Sequence, residues 1–363
     1  MRRLISPTRC VGLVFVGVVM AGLTACTVNK HQPSTGEIRE LFERQDMPYA
    51  IDSRARFRQL FCRVNEARGP QLPDYRPCAD ALRMLPPELP DVRAPVPVDY
   101  ATEPFTILVV PGLGYDCFAK LIGGDHELVQ YAEELGHRIE LVPVAGLGDS
   151  ERNASIVRDM ILTIRDQERS ARVILFGYSK GAVDILTALV AYPEIVPSVA
   201  AVISSAGSIG GSPLAETSSQ HTLDLLASLP GSDCEKSDVH TLDSMSPALR
   251  SAWLAAHQLP DSVAYFSLIA YPQPERVSVV LRKSFNQLSE TDPMNDSQVL
   301  VRDQFIPGSE VLAITNADHW AIALPIKRSS PVVGSTLISQ NDFPREVLFQ
   351  AILIYVDAAL ESR

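Results

Sequence analysis

A serine in a glycine-rich pentapeptide is the residue of this sequence best suited to nucleophilic chemistry. The pentapeptide Gly177-Tyr178-Ser179-Lys180-Gly181 fits the pattern G-x-S-x-G. A serine hydroxyl becomes an effective nucleophile when a neighbouring base takes its proton and an acid orients that base. The flanking glycines leave room for a sharp turn that exposes the hydroxyl. The pattern therefore predicts a catalytic role for Ser179 and requires a base and an acid from elsewhere in the chain.

The residues around the pentapeptide predict a strand before it and a helix after it. Arg172–Phe176 is a short apolar run of the kind that forms a strand buried on both faces. Apolar residues then recur three to four positions apart, at Val183, Leu186, Leu189 and Val190. This spacing indicates a helix from Lys180 to about Tyr192 with one buried face. The strand, turn and helix together resemble the nucleophile elbow of the α/β-hydrolase superfamily.

The resemblance implies a base and an acid that follow the serine in the sequence, the acid first. His319 directly follows the last predicted strand, where the superfamily places its histidine, and is the expected base. The segment Asn295–Val299 resembles the acid loop of several lipases, which makes Asp296 the expected acid, although Ser297 stands where many relatives have glycine. Three other carboxylates stay open as the acid: Asp292, Asp303 and Asp318. For each of these residues a solvated loop carboxylate is the alternative interpretation.

A second glycine-containing loop is expected to bind the oxyanion of a tetrahedral intermediate. Val110–Tyr115 resembles the H-G-x-G type loop of the superfamily, with Pro111 in place of the histidine. Such an oxyanion needs two donors aimed at it in advance. The resemblance implies the backbone N–H groups of Leu113 and Lys180. Neither glycine cluster has the spacing of a phosphate-binding loop, and the sequence has no H-E-x-x-H motif or close Cys/His cluster, so neither a cofactor nor a metal is expected.

Strand and helix patterns alternate from residue 105 onward and predict an α/β fold. The predicted strands are Phe105–Val110, Ile139–Val144, Arg172–Phe176, Ser198–Ser204, Val263–Tyr271 and Val311–Thr315. Helices are predicted over Glu127–Leu135, from Ser150 as the cap to Gln167, and over Pro344–Leu360. This rhythm indicates a mostly parallel sheet flanked by helices. The resemblance implies that residues 105–363 form an α/β-hydrolase fold. Residues 207–262 are too many for an ordinary crossover and are expected to form a helical lid insertion.

Residues 37–104 predict an N-terminal extension outside the common hydrolase core. Helical spacing covers Glu37–Gln45, Asp52–Arg68 and Cys78–Leu85. Six prolines between Pro86 and Pro104 indicate an extended path, with at most an irregular edge strand.

The first 25 residues have the pattern of an export signal. Arginines 2, 3 and 9 precede the apolar run Cys10–Ala25, which is shorter than the roughly 20 residues of a spanning helix. Leu23–Cys26 resembles the lipobox of bacterial lipoprotein signal peptides. Cleavage there would make Cys26 an acylated N-terminus, followed by a tether over residues 26–36. The resemblance implies a lipid-anchored protein of the bacterial cell envelope, at the outer membrane facing the periplasm in a diderm cell. An uncleaved anchor or a plain signal peptide is the alternative.

Charge and cysteine content limit the partners and the compartment. The formal net charge of −11 argues against a nucleic-acid partner. Beyond Cys26 the chain has four cysteines, and an even number in an exported protein favours disulfides. The pairing hypothesis is Cys62 with Cys78 and Cys117 with Cys234; buried free thiols are the alternative.

The resemblance implies a serine hydrolase that works through an acyl-enzyme. Carboxylic esters, of small molecules or lipids, are the expected substrates, because of the esterase-like motifs and the possible membrane tether. Two alternatives stay open, since one fold serves many functions. One is a catalytically silent envelope lipoprotein that uses the fold as a binding module; the other is an amidase or acyltransferase on the same fold.

Overall fold

The computed structural model describes residues 31–43, 50–88, 90, 92–99, 104–117, 126–168, 172–227 and 234–362. The predicted signal peptide, Cys26 and the first part of the tether lie outside these residues. No helix within the described residues combines the length and the apolar character needed to cross a membrane.

A sheet of seven parallel strands forms the centre of the molecule, in the order β1-β7-β6-β5-β4-β2-β3. The strands are β1 (Ile51–Asp52), β2 (Thr106–Val110), β3 (Arg138–Leu141), β4 (Val173–Tyr178), β5 (Val199–Ser205), β6 (Ala264–Ala270) and β7 (Glu310–Thr315). The predicted parallel sheet flanked by helices is therefore confirmed. The edge strand beside β7 is Ile51–Asp52, which has no strand pattern in the sequence. The irregular edge strand was expected in the proline-rich segment instead.

The helices include one at each position predicted from the sequence, but the one predicted over Cys78–Leu85 ends at Ala81, because Leu82 pairs with Thr315. Their bounds are α1 (Thr35–Phe42), α2 (Arg54–Arg68), α3 (Cys78–Ala81), α4 (His126–Glu134), α5 (Ser150–Gln167), α6 (Lys180–Ala191), α7 (Pro213–Thr217), α8 (Gln220–Ala227), α9 (Pro247–Ala256), α10 (Arg282–Ser289), α11 (Ile326–Ser329), α12 (Pro331–Thr336) and α13 (Arg345–Glu361). The cap of α5 was predicted wrongly. Asp149 accepts the N–H of Arg152 there, whereas Ser150 is the first helical residue.

Two apolar clusters cover the two faces of the sheet. On one face α2 and α13 pack on the strands through fully buried side chains such as Phe57 and Tyr355. On the other face α5 and α6 pack through residues such as Ile161 and Leu186. Alternate residues of β4 enter opposite clusters, as the period of two in a strand requires. Burial on both faces explains the continuous apolar runs of these strands.

The N-terminal segment contacts the strand that leads to the predicted catalytic histidine. A disulfide joins Cys62 to Cys78. Leu82 forms an antiparallel bridge with Thr315 at the end of β7, and the N–H of Asn316 donates to the carbonyl of Ala81 at 2.8 Å. The buried Arg76 guanidinium donates to the carbonyl of Asn316 at 2.9 Å. This segment therefore holds the loop that follows β7.

The insertion between β5 and β6 contains α7, α8 and α9. Trp253 and Leu254 of α9 pack against the apolar cluster on the α5 and α6 face. Leu223 of α8 is buried in a smaller cluster with Cys117 and Leu147. A second disulfide joins Cys117, after β2, to Cys234 in the insertion. One part of the insertion thus packs on the core, while another lies over the loop that follows β2.

Candidate active site

Ser179 lies on a strained turn between β4 and α6. Its backbone has φ 54° and ψ −123°, a region that non-glycine residues rarely adopt. A Cβ at Gly177 would lie 2.5 Å from the Ala182 Cα, and one at Gly181 would lie 2.1 Å from the Val110 carbonyl oxygen. Both glycines are therefore required by close backbone approach. The turn brings the Ser179 hydroxyl to the carboxyl edge of the sheet.

The structure brings Ser179, His319 and Asp296 together in one chain of hydrogen bonds. The His319 Nε2 lies 2.9 Å from the Ser179 Oγ, and its Nδ1 lies 2.6 Å from an Asp296 carboxylate oxygen. The N–H of His319 also donates to the carbonyl of Asp296 at 2.9 Å. All three residues are buried. Because the carboxylate binds Nδ1, the neutral ring carries its proton there, and Nε2 is free to accept the serine proton.

The Asp296 carboxylate is held in place by its own loop. One oxygen accepts the backbone N–H groups of Gln298 at 2.8 Å and Val299 at 2.7 Å. The other accepts from the Gln304 side chain at 3.2 Å in addition to the imidazole. These donors compensate a fully buried carboxylate for the loss of water. Ser297 turns the loop with φ 88°, which explains why glycine suits this position.

The three alternative acids have other partners. Asp292 pairs with Arg302 at 3.4 Å, and Asp303 lies 3.8 Å from the same guanidinium. Asp318 is fully buried beside the histidine, but its oxygens accept the backbone N–H groups of Ser278, Trp320 and Ala321. Burial raises the pKa of Asp318 above its usual value. Among the described residues, Asp296 is the carboxylate that reaches the imidazole.

The predicted oxyanion loop runs directly beside the nucleophile. A Cβ at Gly112 would lie 2.9 Å from the Ser179 Cβ, so this glycine allows the approach. The N–H of Gly114 donates to the carbonyl of Gly146 at 2.9 Å and fixes the loop. Within the described residues, no acceptor is found for the backbone N–H of Leu113 or of Lys180. These are the two N–H groups that the sequence predicts as oxyanion donors, and that role stays a prediction.

A cavity of about 490 Å³ opens at the serine hydroxyl. Ser179 and His319 form part of its wall, together with the loop after β2, the insertion and the segment after β7. Most of the remaining lining is apolar and includes Leu113, Leu147, Leu214, Leu223, Met245, Val299, Trp320 and Ile338. Its volume is in the range of pockets that bind small molecules. The arrangement suits an apolar substrate whose reactive group meets the serine.

Comparison with solved structures extends these observations. The crystal structure of the metagenomic carboxyl esterase MGS0156 matches the chain with a TM-score of 0.79 and 33% sequence identity, over 90% of this chain and 100% of that chain. The chain belongs to the α/β-hydrolase family of esterases and lipases. The mature lipase BlEst2 of Bacillus licheniformis has 21% identity and a TM-score of 0.48, over 65% of this chain and 92% of that chain. No protein-family model and no curated protein matches the sequence.

A buried polar network behind the elbow of this α/β-hydrolase was missed from the sequence. The Lys180 ammonium lies 2.7 Å and 3.0 Å from the two Asp184 oxygens, which also accept from Ser150 at 2.5 Å and Asn153 at 2.8 Å. The Asn153 side chain in turn donates to the carbonyl of Ala145 and accepts its N–H. Ala145 precedes Gly146, whose carbonyl accepts the N–H of Gly114 in the predicted oxyanion loop. The i,i+4 spacing of Lys180 and Asp184 on a predicted helix was the available signal.

Two other contacts near Ser179 were also not predicted from the sequence. The Tyr178 hydroxyl donates to the carbonyl of His319 at 2.7 Å, and burial raises the pKa of this phenol well above its usual value. Tyr178 therefore stays neutral and supports the histidine loop. Ser208 follows β5, and its hydroxyl oxygen lies 3.5 Å from the Ser179 Oγ.

The described part of the chain contains one cluster of possible metal ligands, formed by Asp116, Cys117 and Cys234. The two cysteines are joined in a disulfide, so neither can offer a thiolate. This cluster is therefore not a metal site.

Proposed function

We propose that the chain is a serine hydrolase that cleaves carboxylic esters through an acyl-enzyme. The observation that carries the proposal is the hydrogen-bonded series Asp296, His319 and Ser179, which opens into an apolar cavity. The relation to the carboxyl esterase MGS0156 supports the same reaction class.

In the first half-reaction His319 Nε2 takes the Ser179 proton as Oγ bonds to the ester carbonyl carbon. The Leu113 and Lys180 N–H groups stabilise the oxyanion that forms. The intermediate collapses, the alcohol leaves, and it takes the proton from Nε2. Asp296 orients the imidazole and stabilises its positive charge throughout.

In the second half-reaction a water molecule gives its proton to His319 Nε2 as its oxygen bonds to the acyl carbon. The bond between that carbon and the Ser179 Oγ then breaks. Oγ recovers a proton from Nε2, and the carboxylic acid leaves. The enzyme returns to its starting state without any cofactor.

The expected substrates are neutral esters with an apolar acyl chain. Among the described residues, the cavity lining includes no Asp, Glu, Lys or Arg side chain, so a charged group would lose its hydration without a partner of opposite charge. Each methylene buried in the cavity contributes about 0.8 kcal/mol, or about fourfold in kcat/KM. Activity should therefore rise with chain length until the cavity is full.

The membrane anchor is also part of the proposal. The lipobox-like segment before Cys26 and the two disulfides both suit an exported lipoprotein. Acylation at Cys26 would hold the hydrolase at the envelope, at the outer membrane of a diderm cell. Mass spectrometry of the intact protein from a bacterial host tests this, since a Cys26→Ser variant should lose the lipid mass and leave the membrane fraction.

The test of the activity is hydrolysis of p-nitrophenyl esters from acetate to palmitate. We expect activity to vanish in Ser179→Ala and His319→Ala, and labelling by a fluorophosphonate to require Ser179. His240→Ala is the matched control. His240 also pairs with a carboxylate, Asp243 at 2.7 Å, but on an exposed surface, so this variant should keep full activity.

The possible results separate the candidate functions. A labelled wild type that cleaves none of the esters would point to amides or acyl transfer. A folded wild type that is neither labelled nor active would contradict catalysis and favour a binding module. Equal loss of activity in His240→Ala would contradict the assignment of His319 as the base.

A further inference from the structure

Ser208 lies beside the nucleophile, with its oxygen 3.5 Å from the Ser179 Oγ. The side chain is buried, lines the cavity, and has no other hydrogen-bond partner among the described residues. A hydroxyl can donate one hydrogen bond, and Ser179 Oγ is the acceptor within its reach. In the resting enzyme this contact is longer than the 2.7–2.8 Å typical of strong O–H···O bonds and contributes little.

The backbone holds Ser208 rigidly in this place. Its N–H donates to the carbonyl of Ser179 at 3.1 Å, and its carbonyl accepts the N–H of Gly211 at 2.9 Å. Gly211 has φ 88°, which closes a tight turn. A Cβ at Gly207 would lie 2.1 Å from the Ser204 Oγ and 3.0 Å from the Ala182 Cβ, so the chain is closely packed here. The glycine-rich start of the insertion thus positions a donor at the nucleophile.

We propose that the Ser208 hydroxyl is a catalytic residue that stabilises negative charge on the Ser179 Oγ. This inference rests on the proposed ester hydrolysis. During acylation Oγ gains electron density as its proton moves to His319. During deacylation the bond between the acyl carbon and Oγ breaks, and the electron pair passes to Oγ before it recovers the proton from His319. Ser208 keeps its own proton in both steps and donates only a hydrogen bond.

The physical basis is the difference between a neutral and a charged acceptor. Hydrogen bonds to an oxyanion are shorter and about twice as strong as those to a neutral oxygen. An interaction that is weak in the ground state and strong in the transition state raises kcat without lowering KM. A preorganised oxyanion-hole donor contributes about 10²–10³ in kcat. Because the charge on Oγ is partial, we expect about 10- to 100-fold from Ser208.

The experiment compares steady-state kinetics of Ser208→Ala, Ser208→Cys and Ser208→Thr on the p-nitrophenyl ester that the wild-type chain prefers. The alanine variant removes the donor but keeps the backbone N–H. The cysteine variant keeps the size with a weak donor, and the threonine variant keeps the hydroxyl. We expect kcat to fall about 10- to 100-fold in the first two variants and to be largely retained in the third, with KM and the melting temperature nearly unchanged.

Ser204→Ala is the matched control. Ser204 is a buried serine of β5, four positions before Ser208; its hydroxyl has no partner among the described residues, and it does not line the cavity. It should keep wild-type kcat.

The proposal is overturned if Ser208→Ala and Ser208→Cys keep kcat within twofold of wild type, or if KM rises while kcat is unchanged. A similar loss in Ser204→Ala would also overturn it, because the effect would then be structural. If the wild type itself neither turns over nor reacts with a fluorophosphonate, the proposed function fails instead. The two failures are therefore distinguishable.

Discussion

Two buried carboxylates, Asp296 and Asp318, bond to the segment around His319, and replacing each by asparagine should have very different effects. In Asp296→Asn one oxygen remains, and it will face the N–H groups of Gln298 and Val299, which need an acceptor. The new amide then points at Nδ1 of His319, which the carboxylate binds at 2.6 Å. Because the amide donates, Nδ1 must accept, and the ring proton moves to Nε2. The ring can then no longer take the proton of Ser179.

We expect kcat of Asp296→Asn to fall about 10⁴-fold, as for other triads with the wrong tautomer. This corresponds to about 5 kcal/mol of transition-state stabilisation. In Asp318→Asn the remaining oxygen can keep the N–H groups of Trp320 and Ala321, while the new amide faces the N–H of Ser278. Two donors would then face each other, which costs about 1–3 kcal/mol of folding free energy. Part of this cost is offset, because the asparagine side chain buries no charge. The contacts of His319 are unaffected, so kcat should stay within about threefold of wild type.

The assay is kcat at saturating p-nitrophenyl ester and neutral pH, with thermal unfolding measured on the same samples. The reasoning is refuted if Asp296→Asn keeps more than about a tenth of wild-type kcat. It is equally refuted if Asp318→Asn, while folded, loses as much activity as Asp296→Asn. The first outcome would mean that Asp296 is not required to orient His319, and the second that Asp318 is required for activity as well.

Three further predictions concern stability. Ser297→Gly should raise the free energy of unfolding by about 1 kcal/mol with activity retained, because φ is 88° and the buried hydroxyl has no partner among the described residues; a lower denaturation midpoint would contradict this. Burial lowers the pKa of His137 below 6.5, and its Nδ1 accepts the N–H of Phe105 at 3.2 Å. The stability that the neutral, buried His137 contributes should be complete above pH 6.5 and be lost as the pH falls from there through the lower pKa of the folded state, because the unfolded chain binds the proton more tightly; urea unfolding at several pH values should give a flatter profile for His137→Gln, and parallel profiles would argue against it. Replacing the Cys117–Cys234 disulfide by serines should cost about 5 kcal/mol against about 3 kcal/mol for Cys62–Cys78, because the bridged residues are 117 and 16 positions apart; equal losses in urea unfolding would count against loop closure as the cause.

The elbow and the sheet could be predicted because their constraints are local. The close approaches at Gly177 and Gly181 involve residues of the turn and of one neighbouring strand, so the pentapeptide itself carries the signal. The buried strands can likewise be recognised in the sequence as apolar runs. The choice of Asp296 over Asp318 has no such local signal. It depends on which carboxylate reaches an imidazole across two loops, and the resemblance to lipase acid loops supplied it.

Other features could not be predicted from the sequence, because tertiary contacts determine them. Ile51 and Asp52 form an edge strand only because β7 offers unpaired backbone groups, and a two-residue strand has no period to detect. Asp149 and Ser150 are equally good helix caps by residue type, so the sequence could not rank them. Ser208 carries no motif of its own, and its approach to the nucleophile appears only when β4 and β5 are paired.

The hydrogen bonds between the N-terminal segment and the loop after β7 affect the order in which the site can form during synthesis. Arg76 and Ala81 hold Asn316, three positions before His319, so residues far apart in the chain must meet before His319 is fixed. During synthesis Ser179 emerges long before His319, and residues 76–81 emerge before both. A partly made chain therefore has Ser179 without the imidazole that, in the proposed mechanism, takes its proton.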